Sequence, residues 1–474
     1  MNILLLTNWA PNYFNFFNYL VEKMASEGHC AYIAVDCEFS RDVNEVDRLG
    51  FEINEFSSYF REHKINNVLL KKYNKYNLNA TLLSDFERES VYKMGRKREG
   101  FYYQRLISAL LSFFESIFIK NKIDAVVFEN VSNTFSHIAM YVCKEMKIKY
   151  CGYGSSRLPG RYSITNDPLT DHEDIKIHFN RIRNKETLVK DEIREWSKEY
   201  ISNIESITPD YMKFNKLENT KLLQKFLKRE KIKTLICALK HLFDDHYHSY
   251  AVGNPVKHLW QSAKRNISRR LKLSRIRKYY SSESSAANFL LYPLHFHPEA
   301  STSILAGNYL NELEVIRNIA FNLPLGVELW VKDHMSAFGY PELEFYEAIT
   351  SYPNVKLIKP TAPTKQLIKR SSGIITLTST VGYEALLLNK RVYLFGHVFY
   401  KFHQNVVIIK NPIEIFEVLT ENIKRDPIND IDYNIDFISA YYMSTRSGLL
   451  NLMADKEAAK YFVEKNYKDL CVFT

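Results

Sequence analysis

The sequence predicts an α/β protein of two doubly wound Rossmann-type domains facing a cleft, with a helical insertion between them and a C-terminal crossover helix. Three observations predict this. Short apolar runs of strand length alternate with amphipathic segments of helix length at both ends of the chain, as parallel strands joined by crossovers require. That rhythm breaks once, between about 168 and 285, in a charged stretch poor in glycine. The 474 residues also exceed what one hydrophobic core comfortably serves.

The elements follow in order. Residues 2–7 (NILLLT) read as the first strand, 13–24 as a helix and 31–36 (AYIAVD) as the second strand. Residues 45–120 read as largely helical. A strand returns at 125–130 (AVVFEN), then a helix over 133–146 and a strand at 148–154 (IKYCGYG). The first domain, 1–167, closes near Asp167. Residues 168–285 read as a helical basic connector ending in WQSAKRNISRRLKLSRIRKYYSSESS. The second domain, 286–411, has strands at 288–294, 326–334, 355–359, 373–378 and 391–396. Helices over 303–322, 341–350, 363–371 and 382–388 separate them. Residues 412–474 read as helices returning to the first domain.

Composition excludes several classes. Hydrophobic residues at 46 % support buried cores and argue against disorder. The six cysteines form no CxxC pair, which fits reduced thiols in a cytoplasmic protein. The apolar run at the N-terminus has no basic region before it, so it does not read as a signal peptide. No apolar stretch is long enough to span a membrane. The formal charge of +10 favours anionic partners, whether nucleic acid, an anionic membrane surface or phosphate-bearing substrates.

In open α/β sheets ligands bind beyond the carboxyl ends of the strands, and three loops of the second domain end strands there. The stretch TSTVGYE places Thr378, Ser379, Thr380, Gly382 and Glu384 where a strand gives way to a helix. Unpaired N–H groups and the dipole of a helix start suit a phosphate, glycine admits close approach, and Glu384 suits ribose hydroxyls. The alternative is plain N-capping by Ser379 or Thr380. The stretch GVELWVKDH ends on Lys332 and His334, which together can neutralise a phosphate leaving group. A solvated loop is the alternative. The stretch LYPLHFHPEASTS clusters His295, His297 and Glu299. A carboxylate at Glu299 suits a nucleophile or base at a sugar C2 centre, or else caps a helix. His-x-His here lacks further ligands at metal spacing, so no metal is expected.

These residues resemble the bacterial capsule polysaccharide biosynthesis family, strongly over about 285–405 and loosely over 1–167. Its best understood members are retaining Kdo transferases of GT-B architecture. In that family a Lys-x-His-Pro loop and a Thr-Ser-x-x-Gly-x-Glu-Ala loop hold a CMP-sugar donor. They look like Lys332-Asp333-His334-Met335 and Thr378 through Ala385 here. The family's nucleophilic aspartate has Glu299 as its counterpart by position. Met335 replaces a proline. Gly152-Tyr153-Gly154 stands where the family often has an acid two residues before a glycine, so Glu129, ending AVVFEN, is the substitute assisting acid. The resemblance implies Kdo or a related CMP-linked 2-keto acid, and these departures point to the latter, such as a nonulosonic (pseudaminic, legionaminic or sialic) acid.

The resemblance thus implies a metal-independent, retaining glycosyltransferase with Glu299, His334 and Glu129 as catalytic residues. Lys332, His334, Thr378, Ser379, Thr380, Gly382, Glu384 and His295 would bind CMP. No cofactor is expected beyond the donor, and the acceptor would be a glycan or lipid-linked glycan. Trp9 and Tyr13, after the first strand, suit stacking on a sugar, with core packing as the alternative; Arg157 suits a substrate carboxylate. The basic amphipathic run 257–278 suits an anionic membrane, which would make the protein peripheral on the inner face of the cytoplasmic membrane, or is a solvated helix. No recognition motif for nucleic acid accompanies the charge. Asp430-Ile431-Asp432 and FDDHYHS (243–249) read as solvated surface segments. Two other readings stay open: a UDP- or GDP-sugar transferase of the same architecture, and a non-catalytic capsule assembly or export partner.

Overall fold

A computed structural model describes residues 1–10, 12–94, 98–210, 229–282 and 288–471. The chain divides into two compact units, each assembled from separate segments. The first comprises residues 1–168, 209–263 and 445–474, and the second residues 169–208 and 264–444.

Six strands of the first unit are β1 (Asn2–Thr7), β2 (Cys30–Val35), β3 (Glu52–Glu55), β4 (Ala125–Glu129), β5 (Lys149–Ser155) and β6 (Arg161–Thr165). The second unit holds β7 (Phe289–Pro293), β8 (Glu328–Lys332), β9 (Val355–Ile358), β10 (Gly373–Thr376), β11 (Val392–Leu394) and β12 (Val406–Ile408). A short β13 (Arg446–Ser447) returns to the first sheet.

The first sheet has the order β13-β6-β5-β4-β1-β2-β3. β3, β2, β1, β4 and β5 run parallel, whereas β6 pairs antiparallel with β5 and β13 antiparallel with β6. β1 and β4 are apolar without alternation because helices cover both faces of the sheet, and Leu4, Leu5, Val126 and Val127 are fully buried. The second sheet is parallel throughout, in the order β12-β11-β10-β7-β8-β9. Its core joins Leu290, Tyr292, Val331, Leu357, Ile375 and Tyr393 to Ile316 and Ile319 of helix Glu312–Phe321. The expected α/β class with two Rossmann-type sheets is therefore present.

The structure redraws several expected boundaries. Residues 45–120 include β3, which the sequence reading missed because its EINE alternates acids with other residues at a sheet edge. The expected helix over 303–322 is two pieces, Ala300–Ser303 and Glu312–Phe321. The connector 168–285 is not one body. Its helices Glu173–Arg183 and Asp191–Ser202 pack on helix Ile431–Met443, where Arg183 and Arg194 both pair with the largely buried Asp436, at 3.1 and 3.0 Å. Those pairs draw 169–208 into the second unit, while 209–263 joins the first. Residues 211–228 and 283–287 of that connector lie outside the described residues. The segment 412–474 divides too: 412–444 stays with the second unit, and 445–474 joins the first. There helix Lys456–Leu470 packs on helix Tyr13–Ser26.

Candidate functional site

In the second sheet the chain lays down β7, β8 and β9 in one direction, then returns to place β10, β11 and β12 on the other side of β7. The strand order therefore reverses between β7 and β10, and a crevice beyond their carboxyl ends is where such sheets bind ligands.

Two of the expected residues meet across that point. The Thr378 N–H, after β10, donates to His295 Nε2, after β7, at 3.3 Å. Nε2 therefore accepts, the ring proton sits on Nδ1, and Nδ1 donates to Glu312 Oε1 at 2.8 Å. Glu312 also accepts the His295 backbone N–H, at 3.1 and 3.2 Å to its two oxygens. The Tyr292 hydroxyl reaches it at 2.9 Å and His297 Nε2 at 3.0 Å. Burial alone would raise its pKa, but His295 and His297 hold the carboxyl well below the usual range. Sequence reasoning missed Glu312. It lies in the first turn of a helix capped by Asn311, where an acid reads as a dipole partner, and no spacing ties it to the two histidines.

β8 delivers Lys332, Asp333 and His334. The Lys332 side chain is buried, and Nζ donates to the carbonyls of Pro360 at 2.9 Å and Asp333 at 3.4 Å. Burial lowers its pKa to about 8, against the pull of Asp333. Asp333 accepts the Tyr280 hydroxyl at 2.6 Å and the His334 N–H at 2.7 Å; burial nonetheless raises it to about 6. His334 Nδ1 accepts the Ser336 N–H at 3.2 Å, which leaves Nε2 to carry the ring proton. Burial, with Lys332 nearby, lowers His334 to about 4, so it is a neutral donor at physiological pH.

The hydroxyl-rich stretch opens helix Thr380–Leu387. Ser379 caps it, its Oγ accepting the Val381 N–H at 3.2 Å, so the capping alternative is realised. Thr378 Oγ1 donates to the Ser301 carbonyl at 2.8 Å. Gly382 makes room for a side chain, since a Cβ there would lie 2.5 Å from Tyr400 Oη. Tyr400 in turn donates to the Ser379 carbonyl at 2.6 Å. Glu384 is buried, and burial raises its pKa against the opposing charge of Lys365. Glu299 is exposed; its carbonyl accepts the Thr302 and Ser303 N–H groups at 3.1 and 2.8 Å, and its carboxylate the Ser301 hydroxyl at 3.4 Å.

The first unit holds a separate group. Glu129 ends β4 beside β1, where that sheet reverses its own order. It accepts hydrogen bonds from Ser132, at 2.8 Å, and from Tyr13. Burial outweighs both and raises its pKa to about 7. Tyr13 is thus tied to Glu129. Trp9 is half-buried and packed edge-on against Phe39 and His258, at 4.9 and 4.6 Å, as the packing alternative expects. Arg157 lies half-buried in the turn between β5 and β6. Gly152 has no room for the acid expected there, since a Cβ would meet Pro168, Thr165 and Asn130 at 3.0 to 3.2 Å. FDDHYHS is no plain surface loop either: just before it, the buried His241 bonds Asp42 at 3.0 Å and also Asp244. Asp42, Cys237 and His241 have ligand-type atoms within 4.8 Å of one another, but Lys240 also bonds Asp42. Of the tail acids, Asp430 caps helix Ile431–Met443 and the exposed Asp432 pairs with Arg194 at 2.9 Å.

Among the described residues no helix is long and apolar enough to cross a membrane. No curated protein sequence matches the chain. Among solved structures it is similar to the beta Kdo 2,4 transferase of Thermosulfurimonas dismutans KpsC, at 15 % identity over 70 % of this chain and 87 % of that one, with a TM-score of 0.37. The beta Kdo 2,7 transferase of the same KpsC is similar at 11 % identity, over 75 % and 89 % of the two chains, with a TM-score of 0.33. UDP-GlcNAc 2-epimerase from Neisseria meningitidis is similar at 13 % identity over 99 % and 100 %, with a TM-score of 0.28. Residues 201–404 match the family described as capsule polysaccharide biosynthesis protein. That span contains β7 to β11 and every residue described above at the carboxyl ends of β7, β8 and β10. Over it, this chain is similar to the capsule polysaccharide biosynthesis family.

Proposed function

We propose that this protein is a capsule glycosyltransferase that moves an acidic 2-keto sugar from a CMP-activated donor to a growing surface glycan, without a metal or other cofactor. One observation carries the reading. A buried lysine and a neutral histidine donor end β8 and a helix start follows β10, on the two strands that flank β7 at the reversal of an all-parallel sheet. A phosphate monoester leaving group needs that set of donors. The family match over the same loops supports it.

In this reading His334 Nε2–H, Lys332 and the N–H groups opening helix Thr380–Leu387 bind the CMP phosphate. Glu384, buried in that helix, accepts the ribose hydroxyls. Glu299 attacks C2 of the sugar and the C2–O bond to CMP breaks, its electron pair leaving with the phosphate. An acceptor hydroxyl then displaces Glu299, forming the new C2–O bond with net retention and releasing a proton. Glu129, titrating near 7, has the right strength to take up such a proton at neutral pH. His295 is a positioning residue, locked between Glu312 and Thr378.

Calorimetric titration with CMP, UDP and GDP, repeated on His334→Ala, tests the donor assignment. Selective CMP binding that the substitution weakens supports it; preference for UDP or GDP moves the protein to another transferase class. Glu299→Ala with CMP binding kept and transfer from CMP-Kdo or CMP-nonulosonate donors lost supports the nucleophile. Transfer unchanged in that variant removes Glu299 from the chemistry.

A further inference from the structure

Helix Arg229–Lys240 of the first unit has two unlike faces. Its inner face, with Cys237 and Ala238, packs on Cys37, Phe39 and Val252. The start of helix Pro255–Ile276 packs on the same cluster through Val256 and Leu259. The opposite faces of both helices therefore turn away from it. On the first helix that outward face is Ile232, Leu235, Ile236 and Leu239, continued by Phe243. The spacing of three, four, seven and eleven residues makes one continuous apolar stripe. Ile236 is 63 % exposed and Phe243 93 %; on the second helix Trp260 is 66 % exposed. A soluble surface scatters such residues singly; a row of five marks a contact surface.

Charge says what covers it. Lys231, Lys233 and Lys240 flank the stripe and are exposed. Residues 255–280 hold nine lysines and arginines and no acid. Glu45 and Asp42 pair with Lys233 and Lys240, yet both lysine side chains remain more than half exposed. An apolar stripe edged by cations, followed by an acid-free basic helix with an exposed tryptophan, has the composition of a helix lying in the headgroup region of an anionic bilayer.

We infer that the stripe Ile232–Phe243 is a docking surface for an anionic lipid bilayer, entered side-on by the helix without crossing the membrane. The surface is independent of the proposed transfer chemistry, because none of its residues lies in the candidate site.

The test is flotation of the full chain with vesicles of phosphatidylcholine alone and of phosphatidylcholine containing a quarter phosphatidylglycerol. The wild type is expected to float with the anionic vesicles, to release at several-fold higher salt, and to ignore the neutral ones. Leu235→Glu/Ile236→Glu is expected to lose at least about tenfold in vesicle affinity. The single change Phe243→Ser, beyond the helix, is expected to lose several-fold and serves if the double variant does not fold. CMP titration on each variant reports the candidate site separately. Equal binding to neutral vesicles, no vesicle binding, or variants that float like the wild type overturns the inference. So does a dimer, seen by sedimentation, that Leu235→Glu/Ile236→Glu dissolves, since a second copy would then be the occupant.

Discussion

His295 and Glu312 are joined twice, by the backbone N–H of His295 and by its ring Nδ1 at 2.8 Å. With Thr378 donating to the other ring nitrogen, a single imidazole ties the end of β7 to the end of β10. The orientation of the loop after β7 thus depends on a carboxylate that the same loop does not contain.

Glu312→Ala removes the shared acceptor of four donors inside a buried site. We expect a loss of about 3–5 kcal/mol in stability, read by denaturant unfolding, because four donors lose their acceptor. Glu312→Gln, which keeps an acceptor oxygen, is expected to lose less. Equal losses for the two would mean that packing alone is felt at this position.

His334→Ala is expected to weaken CMP binding by roughly tenfold to a hundredfold, the range for a hydrogen bond to a charged group. His334 titrates near 4, so its contribution is constant across neutral pH. A wild-type CMP affinity that rises steeply as pH falls from about 7.5 to about 6 in a His334-dependent way would contradict a neutral donor.

Lys332 gives the opposite signature. Its pKa is lowered to about 8, so the free protein loses this charge as pH rises through that value. CMP affinity should be full below about 8 and decline above it. Lys332→Met should bind weakly at all pH and lose that decline, measured by titration calorimetry across the range.

Asp36 is fully buried at the end of β2, and burial raises its pKa from 3.8 to about 7, against bonds from Ser40 and Cys37. The sign follows from linkage. The fold favours the protonated acid, so this stabilisation is complete below about 4 and is lost as pH rises to about 7. Asp36→Asn should flatten the stability profile in that window by up to about 4 kcal/mol, read as the difference between unfolding curves at its two ends.

Gly382→Ala drives a methyl into Tyr400, and a cost of about 1–3 kcal/mol is expected for overpacking. Tyr400→Phe removes the atom 2.5 Å from that methyl. The double variant should therefore recover part of the loss, a coupling that a double-mutant cycle of thermal unfolding reads directly.

The strands β7 to β11 of the second sheet could be read from the sequence because they are largely buried, so LLYPL and GIITL stand out as unbroken apolar runs. β3, β12 and β13 could not, being short edge strands with little to bury. Nor could the affiliation of 169–208, which rests on Arg183 and Arg194 meeting Asp436 more than two hundred residues away. His295, His334 and Thr378 were legible because strand ends announce themselves and their chemistry is distinctive. Glu312 was not, since its role exists only once a helix returns it to β7. The packing of Gly382 was not legible either, because nothing in TSTVGYE reveals that a tyrosine eighteen residues on fills the gap.

The first unit is closed by a segment made long after the rest of it. β13 pairs with β6, Tyr153 bonds the Leu470 carbonyl at 2.7 Å, and helix Lys456–Leu470 covers helix Tyr13–Ser26. During synthesis the ribosome therefore makes the whole second unit while the edge of β6 and the face carrying Phe16 wait uncovered. The second unit can collapse on its own local contacts as it emerges, but the first cannot finish until residues 445–470 arrive. The order of birth and the order of completion are thus reversed, and a nascent chain stalled before β13 would present an open strand edge to its neighbours.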